Sequence, residues 1–230
     1  MNKLNSIISG ILIILLFSAC SQSSKNDLQL FSYKGNVKSC ISKDFNTIKK
    51  FGEWKEAGLN RSYVIKFDEK GNYTEIENFD FMNELTSKII PKRINGKITE
   101  ENTYNKQGNL ETSLKIKSIS ENEFNTESYN AENIKVSSGT IYRENGKNTK
   151  KVTNILSEKK DSTTIINWEY DAKGLLSTIN ISNEKGEIRI SQKYKYTEFD
   201  KQNNWTKVLI YNMDSEDVPV FITTREIEYY

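Results

Sequence analysis

From Tyr63 to Tyr230 the chain alternates apolar and polar residues with a period of two. Tyr63, Ile65 and Phe67 share one face of this pattern, as do Leu114 with Ile116, and Ile166 with Trp168 and Tyr170. Ile188 pairs in the same way with Ile190, and Tyr194 with Tyr196. The positions between them are mostly polar or charged. Successive side chains of a strand point to opposite sides, so the pattern predicts strands with one buried and one wet face, as in antiparallel sheets. The many β-branched, Tyr and Trp residues suit such a surface.

Turn signals cut this pattern at a near-constant beat. They fall at Gly71, Met82-Asn83, Asn95-Gly96, Gly108, Glu121-Asn122, Asn133 and Gly146. They continue at Glu158 to Asp161, Gly174, Gly186, Asn203 and Asp214 to Asp217. One phrase recurs in looser and tighter copies: FDEKG from Phe67, YNKQG from Tyr104, YDAKG from Tyr170 and FDKQN from Phe199. An aromatic residue closes a strand, Asp or Asn opens a type I turn, and Gly or Asn takes the left-handed position that reverses the chain.

These signals predict an all-β fold, a single long antiparallel β-meander of about a dozen strands in residues 31–230. A flat sheet of that width would measure about 60 Å. Sheets beyond about ten strands curl or split, and strand twist acts the same way. The expected shape is one strongly twisted, curved sheet that partly wraps its aromatic face, or two stacked halves of it. Pro91 and Pro219 suit strand ends. Asp44 to Ala57 is the least strand-like stretch and reads as a loop or short helix.

Composition narrows the chemistry. The chain has no histidine, which removes His-dependent nucleophile systems and His-based zinc sites. Its 33 basic and 31 acidic residues nearly cancel, and no dense basic stretch marks a nucleic-acid partner. Mean hydropathy is −0.67, so any core is thin.

The N-terminus combines Lys3, an apolar run from Ile8 to Phe17 and small residues before Cys20, the pattern of a secretory signal over residues 1–19. The run is too short to span a bilayer of about 30 Å. Leu16-Phe17-Ser18-Ala19-Cys20 resembles a bacterial lipobox, with Phe17 where that family usually has Leu. The resemblance implies acylation of Cys20 and anchoring to a membrane, with residues 20–30 holding the lipid and the tether. Ser21 after the cysteine implies the outer membrane of a Gram-negative envelope. The lack of an acidic cluster favours the periplasmic side over the cell surface. Cys40 is then left unpaired and reads as a small strand residue.

The recurring phrase resembles that of the YD-repeat (Rhs-like) proteins, whose signature is Tyr-Asp followed by Gly in a turn. It is carried best by Tyr170 to Gly174, Phe67 to Gly71 and Phe199 to Trp205. Gly35 to Ser39 and Arg225 to Tyr230 look like the opening and closing phrases of short lipoproteins of this kind. The resemblance implies an envelope lipoprotein and names no ligand.

Two functions compete. The first is a non-enzymatic binding or scaffold protein, in which Trp168, Trp205 and Tyr211 are candidates to stack on a glycan or a partner protein. Their competing role is core. The alternative is a carboxylate-based glycoside hydrolase, for which no particular catalytic pair stands out. Asp161, Asp214, Glu216 and Asp217 have the oxygen chemistry for Ca²⁺ without EF-hand spacing, and they read equally well as solvated turn residues. No metal site or cofactor is expected. Asp161-Ser162-Thr163 also resembles a three-residue O-glycosylation sequon.

Overall fold

The computed structural model describes residues 26–156, 161–215 and 217–230. The signal segment, Cys20 and Glu216 lie outside them. The strands are β1 (Val37–Lys50), β2 (Glu53–Phe67), β3 (Tyr73–Phe79), β4 (Leu85–Ile94) and β5 (Lys97–Asn105). β6 (Leu110–Ser118), β7 (Glu123–Asn130), β8 (Lys135–Glu144), β9 (Lys147–Ile155) and β10 (Ser162–Tyr170) follow. β11 (Leu176–Asn183), β12 (Ile188–Phe199), β13 (Trp205–Asn212) and β14 (Pro219–Tyr229) complete the sheet. Each strand pairs with its sequence neighbours, and β1 pairs with β14, so the meander closes into a 14-strand antiparallel barrel.

Closure is the first difference from expectation. The partial wrap becomes complete because Cys40↔Ile227, Ser42↔Arg225 and Asp44↔Thr223 join the first strand to the last. Closing the ring removes both exposed sheet edges. The second difference is Asp44 to Ala57, which forms the end of β1, a turn and the start of β2. Phe51 and Gly52 both take the left-handed conformation, with φ of 53° and 83°, and make a two-residue reversal without the usual Asn. The third is Pro91, which lies inside β4. The β3–β4 ladder ends at Ile76↔Ile89, two residues earlier, so the missing N–H breaks no bond on that side.

The recurring phrase forms one repeated turn. Asp68 N–H donates to Asn72 O, and Gly71 N–H donates back to Asp68 O. The Asp68 carboxylate also accepts the N–H groups of Lys70 and Asn72, at 3.0 and 2.9 Å. The same backbone pair recurs at Asp80, Asn105, Asn130, Asp171, Asn183 and Asp200. The residue three positions on always has positive φ, whether Gly71 or Asn203.

Pairing separates the two faces of the wall. Cys40, Ile65, Ile76, Ile89 and Thr103 are paired in turn, and so share one face. Continued through each ladder, the set returns consistently to Thr223 and Asp44. This face holds buried Cys40, Ile65 and Val208 and is the inside. The opposite face carries a charge ladder: Lys66 with Glu75 and Glu77 at 2.8 and 3.0 Å, Lys88 with Glu77 at 2.6 Å, and Lys43 with Glu226 at 2.8 Å. A barrel that spans a bilayer needs an outward apolar band about 25 Å tall. The outer face of β1 to β4 and β14 carries ion pairs instead.

Residues 26–34 close one end. Leu28 and Tyr33 are buried beside Val37, Phe67 and Tyr73, and Phe31 meets Phe67 and Tyr73 edge to face at 5.8 and 5.7 Å. Asp27 N–H donates to Gly71 O, and Lys34 N–H donates to Asn204 Oδ1, which ties this segment to two hairpin turns. Residues 26–30, assigned to the tether by the sequence, are thus part of the plug.

Candidate functional site

A cylinder of 14 strands tilted by about 40° and spaced about 4.8 Å has a radius of roughly 14 Å. Eight strands leave an interior that side chains just fill, and 16 to 18 leave a water channel. A bore of this size is filled only where large side chains or the plug occupy it.

The plugged end is filled. The Arg225 guanidinium stacks on Trp205 with its centre 3.5 Å from the ring centroid, and lies 4.8 Å from that of Tyr33. Its Nε and Nη1, and the Tyr33 hydroxyl, are buried and find no hydrogen-bond partner among the described residues. Arg93 donates to the Asp27 carboxylate and to Tyr73 O, and the Tyr73 hydroxyl donates to Glu101. Burial, reinforced by Glu101, pushes the Tyr73 phenol far above its ordinary value. Higher up, Asp44 accepts from Arg61 and from the Thr223 hydroxyl, each at 2.7 Å. Tyr194 lies near this pair, and burial, with Asp44 adding to it, raises its phenol to about 12.

The other end is open. The inward residues Ile155 and Ile190 lie near it and are 42 % and 45 % exposed. Around this mouth the inward positions are amides and hydroxyls. Asn78, Ser87, Thr112 and Ser128 come from β3, β4, β6 and β7. Ser137, Thr153, Thr164 and Gln192 come from β8, β9, β10 and β12. Deeper, Leu114, Ile166, Trp168 and Ile179 face the bore and are only partly buried. The lumen thus grades from an aromatic and apolar floor, past Lys151 beside Ile166, to a polar collar.

The three aromatic candidates are not brought together. Trp168 faces the lumen from β10. Trp205 is buried under Arg225, so its ring is already taken. Tyr211 pairs with Lys193 on the outer wall. Trp168 alone keeps a position from which it can meet a ligand in the bore. The collar escaped the sequence reading, which weighted aromatic and acidic residues. Its signal was present as Ser, Thr and Asn at the period-two positions that carry Ile or Tyr elsewhere. Asp161 and Asp217 lie in the turns before β10 and β14, and Ser162 and Thr163 begin β10. No group of three or more Cys, Asp or Glu among the described residues is placed to hold a metal ion.

A second concavity, about 640 Å³, lies on the outside over β6–β9, between Lys115, Lys117, Glu127 and Asn154. It is shallow, and Gly139 lines it. A Cβ on that residue would collide with Val152 O.

No protein-family model matches the chain, and no curated protein matches its sequence. Among solved structures, the chain is similar to a porin-like protein from Bacteroides uniformis, at 11 % identity and a TM-score of 0.47, over 85 % of this chain and 99 % of that one. A DUF1329 family protein from Desulfovibrio piger matches at 9 % identity and a TM-score of 0.24, over 84 % of each chain. The Tc holotoxin pore of Photorhabdus luminescens matches at 8 % identity and a TM-score of 0.22, over 80 % of this chain and 12 % of that one. These are distant likenesses of shape and assign no function.

Proposed function

We propose that this chain is a lipid-anchored envelope protein, held by Cys20 on the periplasmic side of an outer membrane. It binds a glycan or partner protein without catalysis, through the open mouth of its barrel. The short YD-repeat-like phrases serve as hairpin turns that build the wall. The observation that carries the reading is that inward side chains at the mouth, such as Ile190, stay in contact with solvent. Ligand sites are usually preformed concavities lined mostly by apolar and aromatic side chains with a few placed polar groups, and Leu114, Ile166, Trp168 and Ile179 supply the apolar part below this mouth.

The hydrolase alternative gains little support from the interior carboxylates. Asp27 is tied to Arg93, Asp44 to Arg61 and Thr223, and Glu101 to Tyr73. Glycosidases need two carboxyls free to meet one glycosidic bond.

The anchor is tested by feeding cells an alkyne-tagged fatty acid and fractionating them. The chain is expected to carry the tag and sediment with membranes, and Cys20→Ala to lose both. An untagged, freely soluble wild-type chain contradicts the anchor. Protease added to intact cells is expected to leave the protein whole, and cleavage would place it on the cell surface.

A further inference from the structure

We propose that the ligand of the mouth is an acidic glycan, and that Lys151 pairs with the carboxylate of one of its sugars. This rests on the open-mouth reading above. Lys151 lies midway along β9, between Ile141 of β8 and Ile166 of β10, and shares their inward face. One pair nearer the mouth stand Thr153 and Thr164. Trp168 follows Ile166 on the same face toward the floor. Lys151, Thr153, Thr164, Ile166 and Trp168 are all half-buried, so this strip keeps contact with solvent. It runs about 14 Å along two adjacent strands, room for a short run of linked sugar rings.

The other cations inside the barrel are engaged. Arg61 is held by Asp44 and Arg93 by Asp27. Arg143 lies over the Phe124 ring, donates to Asn148 Oδ1 and feels the charges of Asp27 and Glu101. Arg225 is sealed between Trp205 and Tyr33, and Lys147 donates to Gly174 O at the plugged end. Lys151 meets no carboxylate and makes no side-chain hydrogen bond among the described residues.

A sugar acid offers a carboxylate, hydroxyls and C–H ring faces together. The Lys151 ammonium only donates, which suits the carboxylate. The Thr153 and Thr164 hydroxyls both donate and accept, which suits sugar hydroxyls. Ile166 and Trp168 can cover a ring face. A neutral glycan would displace water from Lys151 and leave its charge unpaired, which is costly. A phosphate group carries about −1.5 to −2 charges, more than one ammonium balances. An acyl tail would meet the filled plugged end in one direction and cover the two Thr hydroxyls without partners in the other.

The test uses the full chain as cells process it, in nanodiscs, with calorimetry and ligand-observed NMR as readouts. The probes are hexagalacturonate, an oligoglucuronate and 3′-sialyllactose, each with its methyl ester as the neutral control. Inorganic phosphate and a fluorescent fatty acid are the other arms. At least one acidic saccharide is expected to bind, and its ester to bind about tenfold more weakly or less well still. Lys151→Gln should weaken the acid by a similar factor, and Lys151→Arg should keep most of the affinity. Lys150→Gln, on the outward face beside it, should leave affinity unchanged, with the same far-UV circular dichroism throughout.

Equal binding of an acid and its ester, or acid binding untouched by Lys151→Gln, would overturn the role of Lys151. Binding that also survives the mouth-blocking pair Ser137→Trp with Ser162→Trp, which flanks Ile155, would overturn the open-mouth reading itself. Selective binding of phosphate or fatty acid, lost in Lys151→Gln, would keep the lysine as a site and overturn the glycan. No binding of any acidic saccharide at millimolar concentration would overturn the proposal.

Discussion

Two arcs of this barrel share the same hairpins and are held together differently. From β12 through β14 to β3, the inner face is packed. Cys40 is wholly buried, and Val37, Ile65, Val208 and Tyr73 nearly so, with the plug closing over this end. From β4 to β11, Ile141 is the one apolar strand residue among those described that is fully buried. There the wall stands on ladder hydrogen bonds and solvated side chains. The packed arc supplies the hydrophobic stabilisation, and the wet arc leaves its inner surface free. A barrel can thus keep an open lumen if one side carries the core.

The sharpest way to break this contrast is a matched pair of truncations. Ile65→Ala in the packed arc is expected to cost about 2–5 kcal/mol, and Ile166→Ala in the wet arc about 1 kcal/mol or less. Urea denaturation measures both, and equal costs would erase the distinction. Next in size is Gly139→Ala. Its Cβ meets the rigid Val152 carbonyl, so this wet-arc change should cost about 1–3 kcal/mol although it adds one methyl group.

Asp171→Ala removes the acceptor of the Lys173 and Leu175 N–H groups and should cost about 1 kcal/mol by thermal unfolding. Phe51→Asn goes the other way. Phe51 is fully exposed with a φ of 53°, a conformation that Asn tolerates better. The substitution should raise stability by about 0.5–1 kcal/mol.

The smallest effect is on pH. Burial pushes Glu77 upward, but hydrogen bonds from Lys88 and Lys66 hold its carboxyl below the ordinary 4.5. Burial likewise opposes the bonds from Asn72 and Lys70 that hold Asp68 below 3.8. A carboxyl depressed in the folded state stabilises above its unfolded value, and this contribution fades as pH falls through the folded value. Urea midpoints should therefore fall from pH 5 toward pH 3. They should fall less in Glu77→Gln, whose wild-type contribution is already absent.

Much of the fold was legible because its information is local. An Asp or Asn followed three residues later by Gly or Asn specifies its own turn, so the turns at Gly71, Gly108, Gly174 and Asn203 could be read directly. Closure was not legible. The register Cys40↔Ile227 joins distant segments with no turn to fix it, and it follows from twist and packing accumulated over the whole sheet. Phe51-Gly52 was missed because Phe rarely takes the left-handed conformation. At the candidate site, the period-two grouping of Trp168 with Ile166 matches the face they share on β10. Trp205 and Tyr211 separated because the register shift between Glu198 and Phe199, opposite Lys207 and Trp205, and the cover of Arg225 are tertiary facts. The collar was hidden because Ser, Thr and Asn read as wet-face residues until the ring closed around them.

The contrast between the arcs is tested most directly by native-state hydrogen exchange resolved by strand. Amides of β1, β13 and β14 should exchange only with global unfolding, and those of β6 to β9 through openings of distinctly lower free energy. Uniform protection around the ring, or faster exchange in β1 and β14 than in β6 to β9, would contradict it.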